Sequence, residues 1–102
     1  MQRQVLIRRA ERQVSCPLRD EAAVLNLASG TYYGLDSVGA RIWDLIERPK
    51  TLGELHDALV SEYDVSPDAC RQDIERFVAD LARAGLVEIQ EPPHETPPTA
   101  GV

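Results

Sequence analysis

Long apolar runs are missing from this 102-residue sequence. Its longest, such as Ala22 to Leu25 and Val5 to Ile7, fall far short of the roughly 20 residues that cross a bilayer, so no transmembrane helix is expected. Arginines stand early, at Arg3, Arg8 and Arg9, but no apolar segment with a small-residue cleavage site follows, and no secretory signal is read there. The expected location is cytoplasmic. Cysteine is nearly as scarce: Cys16 and Cys70 stand alone, with no Cys-x-x-Cys, and only His56 and His94 could join them as soft ligands. No metal site is expected from four scattered candidates. Cys70 reads as a small apolar helix residue and Cys16, before Pro17 in a strand-like stretch, as a small apolar residue too, neither as a reactive thiol and both reduced in a cytosol.

Catalytic sets are missing too. Gly34 and Gly39 are not followed by the Gly-Lys-Ser or Gly-Lys-Thr of a phosphate loop. His56, in Glu54-Leu55-His56-Asp57, reads as a solvated residue on a helix flank opposite Leu59, not as a base for a nucleophile. Asp73, Glu75 and Asp80 alternate with Arg71, Arg76 and Arg83, the pattern of an exposed or partner-facing helix. No catalytic residue and no cofactor is expected, and the chain reads as a binding module.

What is present is an ordinary soluble composition, 43% apolar and 27% charged, in a length that holds one small core. The net charge of −6 is divided unevenly. Through residue 19 there are five arginines and one acid; beyond it, six cations face sixteen acids. Nucleic-acid binding leans on clustered Lys and Arg at phosphates, so the acidic body argues against a DNA or RNA reader. It suits a basic peptide, or an enzyme partner steered by opposite charge.

Along the chain, Gln4 to Arg8 and Arg12 to Cys16 alternate weakly, and at least one is expected as a strand. Leu25 and Leu27 are expected on the core face of a hairpin with Tyr33 and Leu35. Ala28-Ser29-Gly30 is read as a three-residue loop that pairs Leu27 with Thr31, with Gly30 at positive φ and Tyr32 and Gly34 outward. After Leu35 the period changes. Asp36 or Ser37 can cap a helix whose stripe is Val38, Ile42, Leu45 and Ile46, with Trp43 at its border and an end near Arg48-Pro49. Thr51-Leu52-Gly53-Glu54 spells a capping box for a second helix with Leu52, Leu55, Leu59 and Tyr63 inward. Ser66-Pro67-Asp68 starts a third over about 67–84, stopped by Gly85, after which Leu86, Val87 and Ile89 return as a short extended piece.

The expected organisation is a basic N-terminal arm over 1–11, able to take strand form, an ordered domain over 12–90, and a disordered proline-rich tail over 91–102. An edge strand can accept an extended peptide as one more strand, and Thr31 to Leu35 is the candidate: it precedes the helices, and Gly34 leaves room for another backbone. With Ile74, Val78 and Leu81 as the buried stripe of the third helix, Cys70, Asp73, Phe77 and Asp80 share the adjoining flank as a second wall. Phe77 would be a hydrophobic anchor beside two acids; for Phe77 and Tyr33, plain core membership is the competing reading.

The stretch from Ala23 through Gly30-Thr-Tyr-Tyr-Gly-Leu35 to Asp36, then Gly39-Ala-Arg-Ile-Trp43, then Asp80 to Val87, resembles the PqqD-like family of precursor-peptide recognition elements. Within it, the chain is most similar to the stand-alone leader-binding proteins of lasso-peptide biosynthesis. The likeness runs over roughly residues 12–89. It implies an α+β winged helix-turn-helix, with a three-stranded antiparallel sheet followed by three helices. It also implies that a precursor leader peptide adds as a strand along Thr31, Tyr32, Tyr33, Gly34 and Leu35 and lies against Cys70, Asp73, Ile74, Phe77 and Asp80. The partners implied are that leader, a cysteine-protease leader peptidase and a cyclase, with no nucleic acid and no membrane. An acidic helix flank would suit a leader bearing Lys or Arg. The alternatives are a PqqD-type chaperone for a radical enzyme and, from another class, a winged-helix DNA-binding regulator. Against the latter, 66–84 holds three cations and four acids.

Overall fold

The computed structural model describes residues 2–91; the tail expected over 91–102 lies, beyond Glu91, outside the described residues. The elements run β1 (Leu6–Arg9), β2 (Gln13–Leu18), β3 (Glu21–Asn26), β4 (Tyr32–Leu35), α1 (Ser37–Leu45), β5 (Lys50–Thr51), α2 (Leu52–Glu62), α3 (Pro67–Arg83) and β6 (Val87–Gln90). The fold class is α+β as expected, with the antiparallel sheet β2-β3-β4 leading into three helices. A second antiparallel sheet of order β5-β1-β6 joins the start of the described chain to its end. The basic segment at the start is thus no appendage: its Val5 and Ile7 are buried in the common core.

Local chemistry sets the helix boundaries. Thr51 and Glu54 form the capping box, the Glu54 N–H donating to Thr51 Oγ1 at 3.1 Å and the Thr51 N–H to Glu54 Oε1 at 2.8 Å. Ser66 accepts from the Ala69 N–H at 3.2 Å, with Pro67 in the first turn. At the far end Gly85 takes φ +76°. Its N–H reaches the Ala82 carbonyl and that of Leu86 reaches the Leu81 carbonyl, the paired closure of a Schellman cap. For α1 the cap is Asp36, whose Oδ1 accepts from the Gly39 N–H at 2.8 Å.

Two apolar expectations for α1 are corrected. Its buried residues are Gly39, Ile42 and Trp43, followed by the C-cap Ile46, and the helix stops at Leu45, short of Arg48-Pro49. Trp43 is central, 2% exposed, while Val38 is 40% exposed. The reason lies across the core, where β1 brings Arg9 over the helix end. Its Nη2 and Nε donate to the Trp43 carbonyl at 2.6 and 3.2 Å, and its guanidinium carbon sits 4.5 Å from the Trp43 ring centroid. A cation there complements the negative end of the helix dipole. Burial pushes the Arg9 pKa down, opposed by Glu47 and Asp44. Arg41 of α1 forks onto Glu62 of α2 at 2.9 and 2.8 Å; this bond raises the arginine pKa and lowers that of Glu62.

The hairpin register also differs from expectation, by one residue on β3. Val24 pairs with Tyr33 and Ala22 with Leu35, so the inward row of β3 is Ala22, Val24 and Asn26, while Leu25 faces Tyr32 and Leu27 is 55% exposed. The loop has four residues, 27–30, closed by bonds from the Asn26 N–H to the Thr31 carbonyl and from the Gly30 N–H to the Asn26 carbonyl. Gly30 does take positive φ, +73°. Asn26 causes the shift. Its side chain is buried at 7% exposure, with Nδ2 donating to the Ala84 carbonyl at 2.8 Å and Oδ1 accepting from the Ala28 and Ser29 N–H groups. A buried amide that satisfies the end of α3 and its own turn fixes which face of β3 points inward.

His56 is likewise not solvated. Its side chain is 15% exposed, and its Nε2 lies 2.8 Å from the Pro67 carbonyl, bridging α2 to the first turn of α3.

Candidate functional site

In the sheet β2-β3-β4 the last strand is an edge. Antiparallel pairing alternates between hydrogen-bonded and non-bonded residue pairs. The bond from Asn26 to Thr31 puts the even partner pairs of β3 (22/35, 24/33, 26/31) on the bonded phase. Tyr33 and Leu35 therefore point their backbone groups at β3, and Tyr32 and Gly34 point theirs at the open side. Two amides and two carbonyls stand ready there for an added strand, with the Gly34 Cα face clear: a Cβ built on it meets nothing within 4 Å. Tyr32 is 68% exposed and Leu35 is buried.

Where β4 ends, a groove begins. The N-cap and first two turns of α1 (Asp36, Val38, Gly39 and Ile42) and the flank of α3 (Asp73, Ile74, Arg76, Phe77 and Asp80) line a groove of about 360 Å³. Ile42 and Ile74 form its buried floor. Phe77 is held as a wall by a close approach: a Cβ on Gly39 would stand 3.0 Å from Phe77 Cε1 and 3.1 Å from Cζ. Glycine at 39 is what lets the ring lie against α1 without filling the groove. The rim is acidic. Asp73 is 4.0 Å from Arg76, and Asp80 bonds Arg83 at 2.7 Å across one turn of α3. These are exposed pairs that contribute little to stability.

Of the residues expected at the site, Asp73, Ile74, Phe77 and Asp80 line this groove together. Thr31, Tyr32, Tyr33, Gly34 and Leu35 do not line it; they belong to the strand that leads to it. Cys70 stands just outside this groove. It is 6% exposed and lines a smaller neighbouring cavity of about 140 Å³ with Val38, Leu59, Tyr63, Val65 and Asp73. Burial, and then Asp73, push its thiol pKa up, which keeps it protonated near neutrality. Sequence reasoning missed the α1 wall and Arg76. The available signal was Gly39, a helix glycine that a binding wall explains better than helix propensity does. Among the described residues no cluster of His, Cys, Asp or Glu could hold a metal ion, and no helix is long and apolar enough to cross a membrane.

Comparison with known proteins gives the arrangement a context. The family described as Coenzyme PQQ synthesis protein D (PqqD) matches residues 21–87, a span that takes in β3, β4, all three helices and the start of β6. Among solved structures, the chain is similar to TbiB1 in complex with the TbiA(beta) leader peptide. The two share 40% identity at a TM-score of 0.76, over 79% of this chain and 94% of that one. It is also similar in fold to a lasso peptide synthetase B1 complexed with its leader peptide, at 23% identity and a TM-score of 0.70, over 80% and 96% of the two chains. No curated protein matches the sequence significantly.

Proposed function

Because the chain belongs to the PqqD family, we propose that it is a peptide-binding adaptor that captures the leader segment of a ribosomally made precursor, of the lasso-peptide type, by strand addition. The observation that carries this reading is the open edge of β4, with the backbone groups of Tyr32 and Gly34 unused by β3, ending at an apolar groove. A relative of 40% identity solved with a leader peptide supports it. Edge pairing would supply register and the groove specificity. In this reading Thr31 to Leu35 carry the backbone ladder. Ile74 and Phe77 take an apolar leader side chain, Asp73 and Asp80 stand at the rim, and Cys70 supports the adjoining cavity. The adaptor does no chemistry of its own. It presents the captured precursor to a separate cysteine-protease leader peptidase and a cyclase in the cytoplasm.

The test is fluorescence polarisation with a labelled leader peptide of the lasso-precursor type, the TbiA(beta) leader among them. Phe77→Asp, which puts a charge against the apolar floor, should abolish binding while a cooperative melt is retained. A folded variant with unchanged affinity would remove the groove from the account.

A further inference from the structure

The groove has a sign as well as a shape. Three carboxylates line it, Asp36, Asp73 and Asp80, against the single guanidinium of Arg76, above a floor of Ile42 and Ile74 and the ring of Phe77. The positive end of the α1 dipole also points here, but Asp36 caps it, and a full carboxylate charge outweighs the roughly half charge of a helix terminus. Arg76 does not neutralise the rim: its nearest approach to Asp73 is 4.0 Å, with both side chains more than two-thirds exposed. The partner of Asp80, Arg83, is not among the groove-lining residues. The inward side chains of a strand added beside β4 alternate and fall on the side of Tyr33 and Leu35, the side of α1 and its groove.

We infer that the groove selects an extended peptide in which an apolar residue, seated against Phe77 and the two isoleucines, is flanked by Lys or Arg that face Asp73 and Asp80. The inference rests on the strand-addition reading above and adds a charge preference to it. Long basic side chains suit the position, since their stems lie along apolar surface while the charged ends stay in water at the rim. A peptide with Asp or Glu at the same places meets like charge and is rejected.

The experiment is selection from a random peptide library displayed on phage, run on the full chain and on two variants, Asp73→Lys/Asp80→Lys and the milder Asp73→Asn/Asp80→Asn. Both positions lie on the solvent side of α3, and thermal melts confirm that each variant is folded. The native chain should enrich Lys and Arg over Asp and Glu beside an apolar residue by about three- to tenfold, the size expected of exposed charge pairs. The asparagine variant should lose this bias and the lysine variant reverse it, while the apolar preference stays, and added salt should weaken the bias in the native chain. Apolar enrichment without charge bias, or a bias that survives both variants, overturns the inference and leaves peptide binding standing. If no peptide is enriched by the native chain, the strand-addition reading falls with it.

Discussion

In the sheet β5-β1-β6 the outward row carries an ion pair: Arg8 lies opposite Glu88 and bonds it at 3.2 Å, next to Leu6 opposite Gln90. In β2-β3-β4 the outward row across the strands is Val14, Leu25 and Tyr32, of which Val14 is 52% and Tyr32 68% exposed, with Leu18 exposed on the same face and Leu27 exposed in the adjoining turn. The inner faces differ as well. β1 is the middle strand and brings Ile7, wholly buried, into the centre of the core; β4 is an edge and has Leu35 alone fully inside. One sheet closes the molecule and the other leaves backbone groups and apolar surface available, which is where binding energy is to be had. On the strand-addition reading proposed above, the difference teaches that stability and recognition are carried by different sheets joined through one core, and substitutions can be chosen to separate them.

The largest effect should come from the closing sheet. Ile7→Ala removes a side chain with no exposed surface and should cost about 2–5 kcal/mol of unfolding free energy in a denaturant titration, with little change in peptide affinity for the fraction that remains folded. A loss of affinity without loss of stability would break the division. Gly34→Val on the open strand should do the reverse. Its Cβ meets open space in the free protein, so stability should move by no more than about 0.5 kcal/mol, yet the new side chain crowds an added strand and should weaken leader binding about three- to tenfold by polarisation. The smallest effect concerns the strap between α1 and α2. The folded pKa of Glu62 lies below its ordinary value of 4.5 because Arg41 bonds its carboxylate. Its contribution is therefore complete above that value and is lost as pH falls through the folded pKa. Glu62→Gln should flatten the fall of Tm with acid below about pH 4.5 and leave leader affinity at neutral pH unchanged.

The parts of this design that were legible in the sequence are those written locally. Thr51 with Glu54, Ser66 with Pro67, and Gly85 each use side chains within a turn of the groups they serve, so the starts of α2 and α3 and the end of α3 could be read directly. The groove face of α3 followed from its period, because Ile74, Val78 and Leu81 define the buried stripe that Asp73, Phe77 and Asp80 adjoin, with Ile74 at the boundary of the two. What could not be read depends on partners distant in sequence. Asn26 is inward because Ala84, 58 residues later, needs a donor; judged by polarity alone it belongs outside, and the whole row of β3 turns with it. The second sheet pairs Leu6 with Gln90, residues at opposite ends of the described chain. The α1 wall was hidden because Gly39 and Phe77 meet only in the fold, and His56 because its acceptor is a backbone carbonyl on the next helix.

Strand addition at β4 is tested most directly by amide hydrogen exchange, read residue by residue by NMR in the free protein and with the leader peptide bound. The account predicts that the amides of Tyr32 and Gly34, which face the open side, gain strong protection on binding, while those of Tyr33 and Leu35, already paired to β3, change little. Unchanged exchange at Tyr32 and Gly34 in a saturated complex, or protection appearing along β2 instead, would contradict it.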